Sequence, residues 1–194
     1  DMNNIIFKYL KSKDREDILN HIESVNINNS NKSKKIHIIS DIDDTIFSSN
    51  TGGTDKSFNN YELYPGIIDL FNIFKKESKY ITFLSARPEI FNNNKNLINI
   101  PYNLLNGNYY TFLDGSKGLI NQSLYGYDNV NNYTNIANKK IESYLNYQKI
   151  YPEYKFIFFG DLGQGDIIVA KELLKNNTLI VVLHDIYRNN EWIS

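Results

Sequence analysis

The sequence contains no cysteine and only three histidines among its 194 residues. Without cysteine, the chain has no disulfide framework, no thiolate nucleophile and no zinc–thiolate site. The small number of histidines also argues against zinc bound by nitrogen ligands. The absence of cysteine fits a reducing compartment, and any metal chemistry is expected to use oxygen ligands.

Long apolar runs and a strong net charge are also missing. No apolar segment approaches the roughly 20 residues that cross a bilayer, and the N-terminus does not have the pattern of a signal peptide. The net charge of −1 gives no electrostatic reason for binding nucleic acid. We therefore expect a cytoplasmic protein with no transmembrane segment. Peripheral membrane contact and the oligomeric state stay open, and a start at Asp1 rather than Met is compatible with an excised fragment.

Short apolar runs alternate with helical patterns through most of the chain. The runs at 35–41, 80–85, 155–161 and 178–184 are rich in Ile, Val, Phe and Leu, as is typical of strands buried on both faces. Helical periodicity is found at 65–76, 135–150 and 166–175. This alternation predicts an α/β fold, a Rossmann-like three-layer sandwich with a central parallel sheet.

The remaining segments set the domain organisation. Residues 3–24 have the pattern of an amphipathic helix, and we expect residues 1–34 to form a helical segment that packs on the core of a domain spanning 35–194. The polar insertion 47–63 is short, and the aromatic, irregular segment 100–135 is too short for a separate folded unit. The sequence therefore predicts no large cap domain.

Polar residues follow three of the predicted strands. Asp41, Asp43 and Asp44 come after the first, Ser85 ends the second, and Asp161 and Asp166 come at the end of the third. Ligands of open α/β sheets bind outside the carboxyl ends of the strands, so these side chains should converge on adjacent strand ends. Unit charges of like sign 4 Å apart repel by about 4 kcal/mol at an effective dielectric constant near 20. Two carboxylate clusters around one pocket therefore indicate a hard, oxygen-preferring cation such as Mg²⁺.

Four ordered motifs carry a resemblance to a known family. The segment DIDDT (41–45) matches the DxDxT signature of the haloacid dehalogenase superfamily. Together with FLSARPEIF, KKIESYLNYQKIYPEYKFIFFGDLGQGD and the closing VVLHDI, it resembles the catalytic domain of the actin-patch type of phosphatidate phosphatase. The first two motifs are also similar to lipin phosphatidate phosphatases, but the GDLGQGD ending fits the actin-patch type better.

The resemblance implies a role for each motif residue. Asp41 would be the nucleophile that forms an aspartyl-phosphate, and Asp43 the general acid and base. Ser85 would donate to phosphoryl oxygens, and a lysine would neutralise charge and orient Asp41. Lys139 and Lys140 both qualify, and the family spacing favours Lys140. Mg²⁺ would be held by Asp41, the backbone carbonyl of Asp43 and Asp161, while Asp166 would be either a direct ligand or a supporting residue.

The expected function is a Mg²⁺-dependent phosphatase (a phosphoric monoester hydrolase) of phosphatidate or a related lipid phosphate. Soluble phosphomonoesters and phosphoproteins stay open as substrates. A non-catalytic scaffold or binding module of the same fold is the alternative from a different class, although both Asp41 and Asp43 are retained. Among the histidines, His37 is expected to be a hydrogen-bonded core residue, and His184 is expected to lie close to the site.

Overall fold

The computed structural model describes residues 2–28, 35–49, 58–59, 62–74, 78, 81–85, 110–114, 130–163 and 165–185. The N-terminal part contains helix α1, a π-helical turn and helix α2. The strands and helices that follow alternate along the chain. In order, the elements are α1 (Met2–Asn4), the π-helical turn (Ile5–Tyr9), α2 (Ser12–Asn28), β1 (Lys35–Ser40), α3 (Ile67–Phe74), β2 (Ile81–Ser85), β3 (Tyr110–Asp114), α4 (Val130–Ile150), β4 (Tyr154–Asp161), α5 (Asp166–Leu173) and β5 (Thr178–His184).

The five strands form one parallel sheet in the order β3-β2-β1-β4-β5. The first strand, β1, is central. The next two strands, β2 and β3, are added on one side of it, and β4 and β5 are added on the other side. This reversal of direction beside β1 is the kind of position at which open α/β sheets bind ligands. The predicted central parallel sheet is confirmed.

Helices cover both faces of the sheet. On one face, α4 and α5 pack over inward-pointing residues such as Ile39, Leu84 and Phe158. On the opposite face, α3 packs over Ile38 and Phe83. Neighbouring residues of β1 and β2 enter different cores because successive side chains of a strand point to opposite faces. The structure is therefore the predicted three-layer α/β sandwich.

The sequence prediction missed one strand. Tyr110–Asp114 pairs in parallel with β2 as strand β3 and lies within the segment 100–135, which the sequence pattern indicated to be irregular. Helix α4 also begins five residues earlier than expected, at Val130. The prediction that no large cap domain exists concerns residues 47–63 and 100–135, most of which lie outside the described residues.

The N-terminal prediction was wrong in its details. A single helix at 3–24 was expected, but the chain forms a π-helical turn and then a separate helix α2. Ile6 is fully buried, and both α1 and α2 contact α4. Tyr9, a large aromatic residue within the predicted helix, is 70% exposed. The division into segments 1–34 and 35–194 stays a prediction.

Candidate active site

Three buried carboxylates meet at the carboxyl ends of the two central strands. Asp41 follows β1 and Asp161 is the last residue of β4, and the backbone N–H of Asp41 donates to Phe159 O at 2.8 Å. Asp166 begins α5. One carboxylate oxygen from each of Asp41, Asp161 and Asp166 lies within 4.8 Å of the other two. We call these three residues the carboxylate cluster.

Two glycines allow Asp166 to approach β4. A Cβ atom at Gly160 would lie 2.6 Å from Asp166 Oδ2, and one at Gly165 would lie 2.6 Å from the carbonyl oxygen of Tyr133. Gly165 also has φ +92°, a left-handed conformation that favours glycine. Gly160 and Gly165 therefore permit the close packing of strand, turn and helix that places Asp166 in the site.

Lys140 of α4 lies between two members of the cluster. Its Nζ is 2.6 Å from Asp166 Oδ1 and 3.2 Å from Asp41 Oδ1, and its side chain is only 1% exposed. Lys139, the other candidate lysine, is 42% exposed and pairs with Glu142 at the surface. Of the two adjacent lysines, Lys140 is therefore the one that reaches the carboxylates.

Burial governs the electrostatics of the cluster. Burial raises the pKa of Asp41 to about 7, against the opposing attraction of the Lys140 ammonium. The pKa of Asp161 is raised well above its ordinary value by burial and by the nearby charges of Asp166 and Asp41. Burial also raises the pKa of Asp166, again against Lys140. For Lys140, burial lowers the pKa, but the two carboxylates outweigh it and the net shift is upward.

The carboxylate cluster fits a divalent cation. Among the described residues, three carboxylates face one ammonium group, so ionisation of all three leaves an excess of negative charge. Asp161 Oδ1 accepts from the backbone N–H of Gly163, whereas Asp161 Oδ2 is buried and has no hydrogen-bond partner in the described part of the chain. Orphaned buried oxygens are costly, and carboxylate oxygens are preferred ligands of Mg²⁺ and Ca²⁺.

The residues after Asp41 form a tight turn. Asp44 has φ 59°, its N–H donates to Phe47 O, and Ile46 N donates to Ile42 O. The Asp44 carboxylate accepts hydrogen bonds from the backbone N–H and the hydroxyl of Ser49, each at 3.1 Å. We call residues 41–47 the aspartate turn. Asp44 therefore has a structural role in holding this turn.

Asp43 lies on the aspartate turn, and Ser85 ends the strand next to β1. Asp43 is half-buried on the aspartate turn, and its charge helps to raise the pKa of Asp41. Ser85 is 4% exposed at the end of β2, the strand next to β1. The expectation that Asp41, Ser85 and Asp161 follow or end adjacent strands at one edge is thus confirmed by the strand order.

Histidine 37 lies away from the site, and His184 lies beside it. The His37 Nε2 atom is 2.8 Å from Thr82 Oγ1 and 3.2 Å from the Tyr147 hydroxyl, which confirms a hydrogen-bonded core histidine. His184 contacts the aspartate turn at the Asp44 carbonyl. The sequence placed His184 near the site but did not predict this contact, because the spacing of motifs along the chain does not show which residues bond to each other across the sheet.

The comparison with protein families agrees with this geometry. The family described as "Phosphatidate phosphatase APP1, catalytic domain" matches residues 36–183. The chain belongs to this family. The matched range includes the carboxylate cluster, Asp43, Ser85 and Lys140, and membership indicates a phosphoric monoester hydrolase. Comparisons with curated proteins and with solved structures return no match.

A phosphatase domain of this family, together with three buried aspartates, suggests a divalent metal. It also implies a phosphate-ester substrate. No helix within the described residues has both the length and the apolar character needed to cross a membrane.

Proposed function

We propose that the chain is a Mg²⁺-dependent phosphatase that hydrolyses phosphatidate or a related lipid phosphate through an aspartyl-phosphate intermediate. The observation that carries the proposal is the buried contact of Lys140 with Asp41 and Asp166 beside the orphaned oxygen of Asp161. Burying so many charged groups destabilises the folded protein, and buried clusters of this kind are typical of functional sites.

The first half of the reaction would use Asp41 as the nucleophile. A carboxylate oxygen of Asp41 attacks the phosphorus atom, a new P–O bond forms, and the P–O bond to the leaving alcohol breaks. Lys140 orients the Asp41 carboxylate and offsets its charge as the anionic phosphate approaches. Ser85, at the neighbouring strand end, would donate its hydroxyl proton in a hydrogen bond to a phosphoryl oxygen.

Asp43 would move the protons. In its acid form, Asp43 gives its proton to the departing alkoxide, and the resulting carboxylate then takes a proton from water. That water attacks the aspartyl-phosphate, the bond between phosphorus and Asp41 breaks, and inorganic phosphate leaves. Both carboxyl groups return to their starting protonation states.

Mg²⁺ would be held by the carboxylates of Asp41 and Asp161 and the backbone carbonyl of Asp43, with Asp166 as a direct ligand or as the residue that fixes Lys140. When bound, the ion supplies charge stabilisation to the transferring phosphoryl group. Lys140 balances part of the remaining negative charge of the carboxylate cluster, since its ammonium group is within 3.2 Å of two of the three carboxylates.

The test compares wild type with Asp41→Asn on phosphatidate in detergent micelles, nitrophenyl phosphate and soluble alkyl phosphomonoesters, with and without Mg²⁺. We expect wild-type activity to depend on Mg²⁺ and to be highest with phosphatidate. Loss of a nucleophile typically costs at least about 10³-fold, so Asp41→Asn should be nearly inactive. Mass spectrometry of wild type quenched during turnover should show phosphate on the peptide that contains Asp41.

Aspartate 69 offers a matched control, because it is an exposed residue of α3 and belongs neither to the carboxylate cluster nor to the aspartate turn. Asp69→Asn should retain most of the activity. Full activity after chelation of divalent metals would contradict the metal requirement. Activity of Asp41→Asn near that of wild type would contradict the role of Asp41 as the nucleophile. A clear preference for soluble esters would contradict only the proposal that the substrate is a lipid phosphate.

A further inference from the structure

The imidazole of His184 makes a contact that the proposed reaction does not use directly. His184 ends β5, and its Nδ1 lies 2.8 Å from the carbonyl oxygen of Asp44. Since a carbonyl oxygen only accepts, Nδ1 must carry a proton and donate it. The bond ties the aspartate turn, which follows β1, to a strand two places away in the sheet.

This contact adds to the hydrogen bonds that hold Asp44. The backbone N–H of Asp44 donates to Phe47 O, the carboxylate accepts from Ser49, and the carbonyl accepts from His184. Asp44 is also in the left-handed region, at φ 59°. Because Asp44 directly follows Asp43, these bonds fix the backbone from which the Asp43 side chain projects.

Tyrosine 64 contacts both His184 and Ile46 of the aspartate turn. Its ring packs edge-to-face on the His184 imidazole, with ring centroids 4.2 Å apart and planes inclined by 62°. Its backbone N–H donates to Ile46 O at 3.1 Å, and its side chain is nearly fully buried. The imidazole therefore lies between the Tyr64 ring and the carbonyl oxygen of Asp44 in the aspartate turn.

We propose that His184 is a positioning residue that holds the aspartate turn so that Asp43 is aligned with the leaving-group oxygen. This inference rests on the proposed function, in which Asp43 is the general acid. A general acid must lie within hydrogen-bond reach of the atom it protonates, and a displacement of about 1 Å can cost about 10²-fold in rate. His184 itself does not touch the substrate in this proposal.

The test compares His184→Leu with His184→Asn on phosphatidate and on nitrophenyl phosphate. Phosphatidate needs a proton on its leaving alkoxide, whereas nitrophenolate leaves without one. We expect His184→Leu to lower kcat for phosphatidate about 10- to 100-fold with a much smaller effect on nitrophenyl phosphate. His184→Asn should restore most of the loss, because its Nδ2 donates from the position of the imidazole Nδ1.

His37 provides the control, since it is a histidine of the same sheet but contacts Thr82 and Tyr147. His37→Leu should lower the melting temperature and leave the ratio of the two rates unchanged. Equal losses on both esters in His184→Leu would overturn the positioning role. So would a His184→Asn variant no better than His184→Leu.

A measurement independent of catalysis follows from the required tautomer. Imidazole ¹⁵N spectra of the wild-type protein at neutral pH should show His184 protonated at Nδ1, and a proton on Nε2 alone would overturn the inference. The two proposals fail differently. A wild type that hydrolyses neither ester overturns the proposed function, whereas an active wild type whose rate ratio is unchanged in His184→Leu overturns the role of His184 alone.

Discussion

Two buried polar clusters share strand β1 and helix α4, yet they differ in their charge and in how fully their polar atoms are hydrogen-bonded. The first is the carboxylate cluster with Lys140. The second, which we call the polar network, consists of His37, Thr82 and Tyr147. Strand β1 carries His37 and leads into Asp41, while α4 carries Tyr147 two turns after Lys140.

The difference lies in charge and in hydrogen-bond satisfaction. In the polar network, Thr82 Oγ1 lies 2.8 Å from His37 Nε2 and 3.0 Å from the Tyr147 hydroxyl. In the carboxylate cluster, three acids face one lysine, and Asp161 Oδ2 lacks a partner in the described part of the chain. The polar network is suited to stability, whereas the carboxylate cluster sacrifices stability for a site that binds charge.

The largest difference should appear in catalysis when Asp43 loses its carboxyl group. Asp43→Asn removes proton transfer, which typically contributes about 10²- to 10⁴-fold, while Asp41 remains able to attack. The loss should be greatest with alkyl phosphates and smallest with nitrophenyl phosphate, as measured by steady-state kinetics. Mg²⁺ should still raise the melting temperature of this variant, because the Asp43 ligand is proposed to be a backbone carbonyl. Wild-type rates on alkyl phosphates would contradict the role of Asp43.

The largest difference in stability should come from Lys140→Met in metal-free buffer. Removing one partner of a buried ion pair typically costs about 3–5 kcal/mol, because the remaining charges stay buried and uncompensated. Urea unfolding at pH 8 measures this loss, which should shrink at pH 5, where the carboxylates take up protons. Lys139→Met is the matched control, since that lysine forms only a surface pair and should cost less than about 1 kcal/mol. Equal losses in the two variants would contradict the buried ion pair.

The two clusters should respond to pH with opposite signs in the metal-free protein. Burial raises the pKa of Asp41 to about 7, so its folded form holds a proton that the unfolded chain releases above about pH 4. The free energy of unfolding should therefore fall as the pH rises through 4–7. Burial lowers the pKa of His37 from 6.5 to about 4. The contribution of His37 to the free energy of unfolding should therefore fall as the pH drops from 6.5 to 4. Each group contributes a slope of up to about 1.4 kcal/mol per pH unit.

Single variants should separate these opposing slopes. In wild type, the contribution of Asp41 to stability is lost as the pH rises, and Asp41→Asn removes this loss. Between pH 5 and pH 7, the free energy of unfolding of the variant should therefore change in a more favourable direction than that of wild type. His37→Asn should show the reverse change. Chemical unfolding at several pH values in the presence of a chelator measures both. The same slope in all three proteins would contradict the assigned pKa shifts.

The sequence was sufficient to predict four of the five strands and the strand ends at which Asp41, Ser85 and Asp161 lie, for a physical reason. Continuous apolar runs identify buried parallel strands, and the polar residues that follow them must lie at one edge. Asp41, Ser85 and Asp161 were located in this way. Lys140 was separated from Lys139 only by family spacing, because both lie on one helix and their burial depends on which face contacts the sheet.

Other features depend on contacts that a local pattern does not contain. Strand β3 has the same length as β2, and its place in the sheet is decided by pairing with β2. The contact between His184 and Asp44 joins residues 140 positions apart. The N-terminal prediction failed because the apolar spacing of residues 3–24 continues through the π-helical turn, although the helix itself does not.

The smallest expected effect tests the polar network alone. Tyr147→Phe removes one hydroxyl that contacts Thr82 and His37, and a hydrogen bond of this kind contributes about 1 kcal/mol. Urea unfolding should show this loss, while the rate with phosphatidate should stay within about two-fold of wild type, because the carboxylate cluster is untouched. The double variant Tyr147→Phe/Thr82→Val should be less destabilised than the sum of the single variants, since both remove the same bond. Strict additivity would contradict the hydrogen bond, and a large loss of activity in Tyr147→Phe would show that the two clusters are coupled through α4.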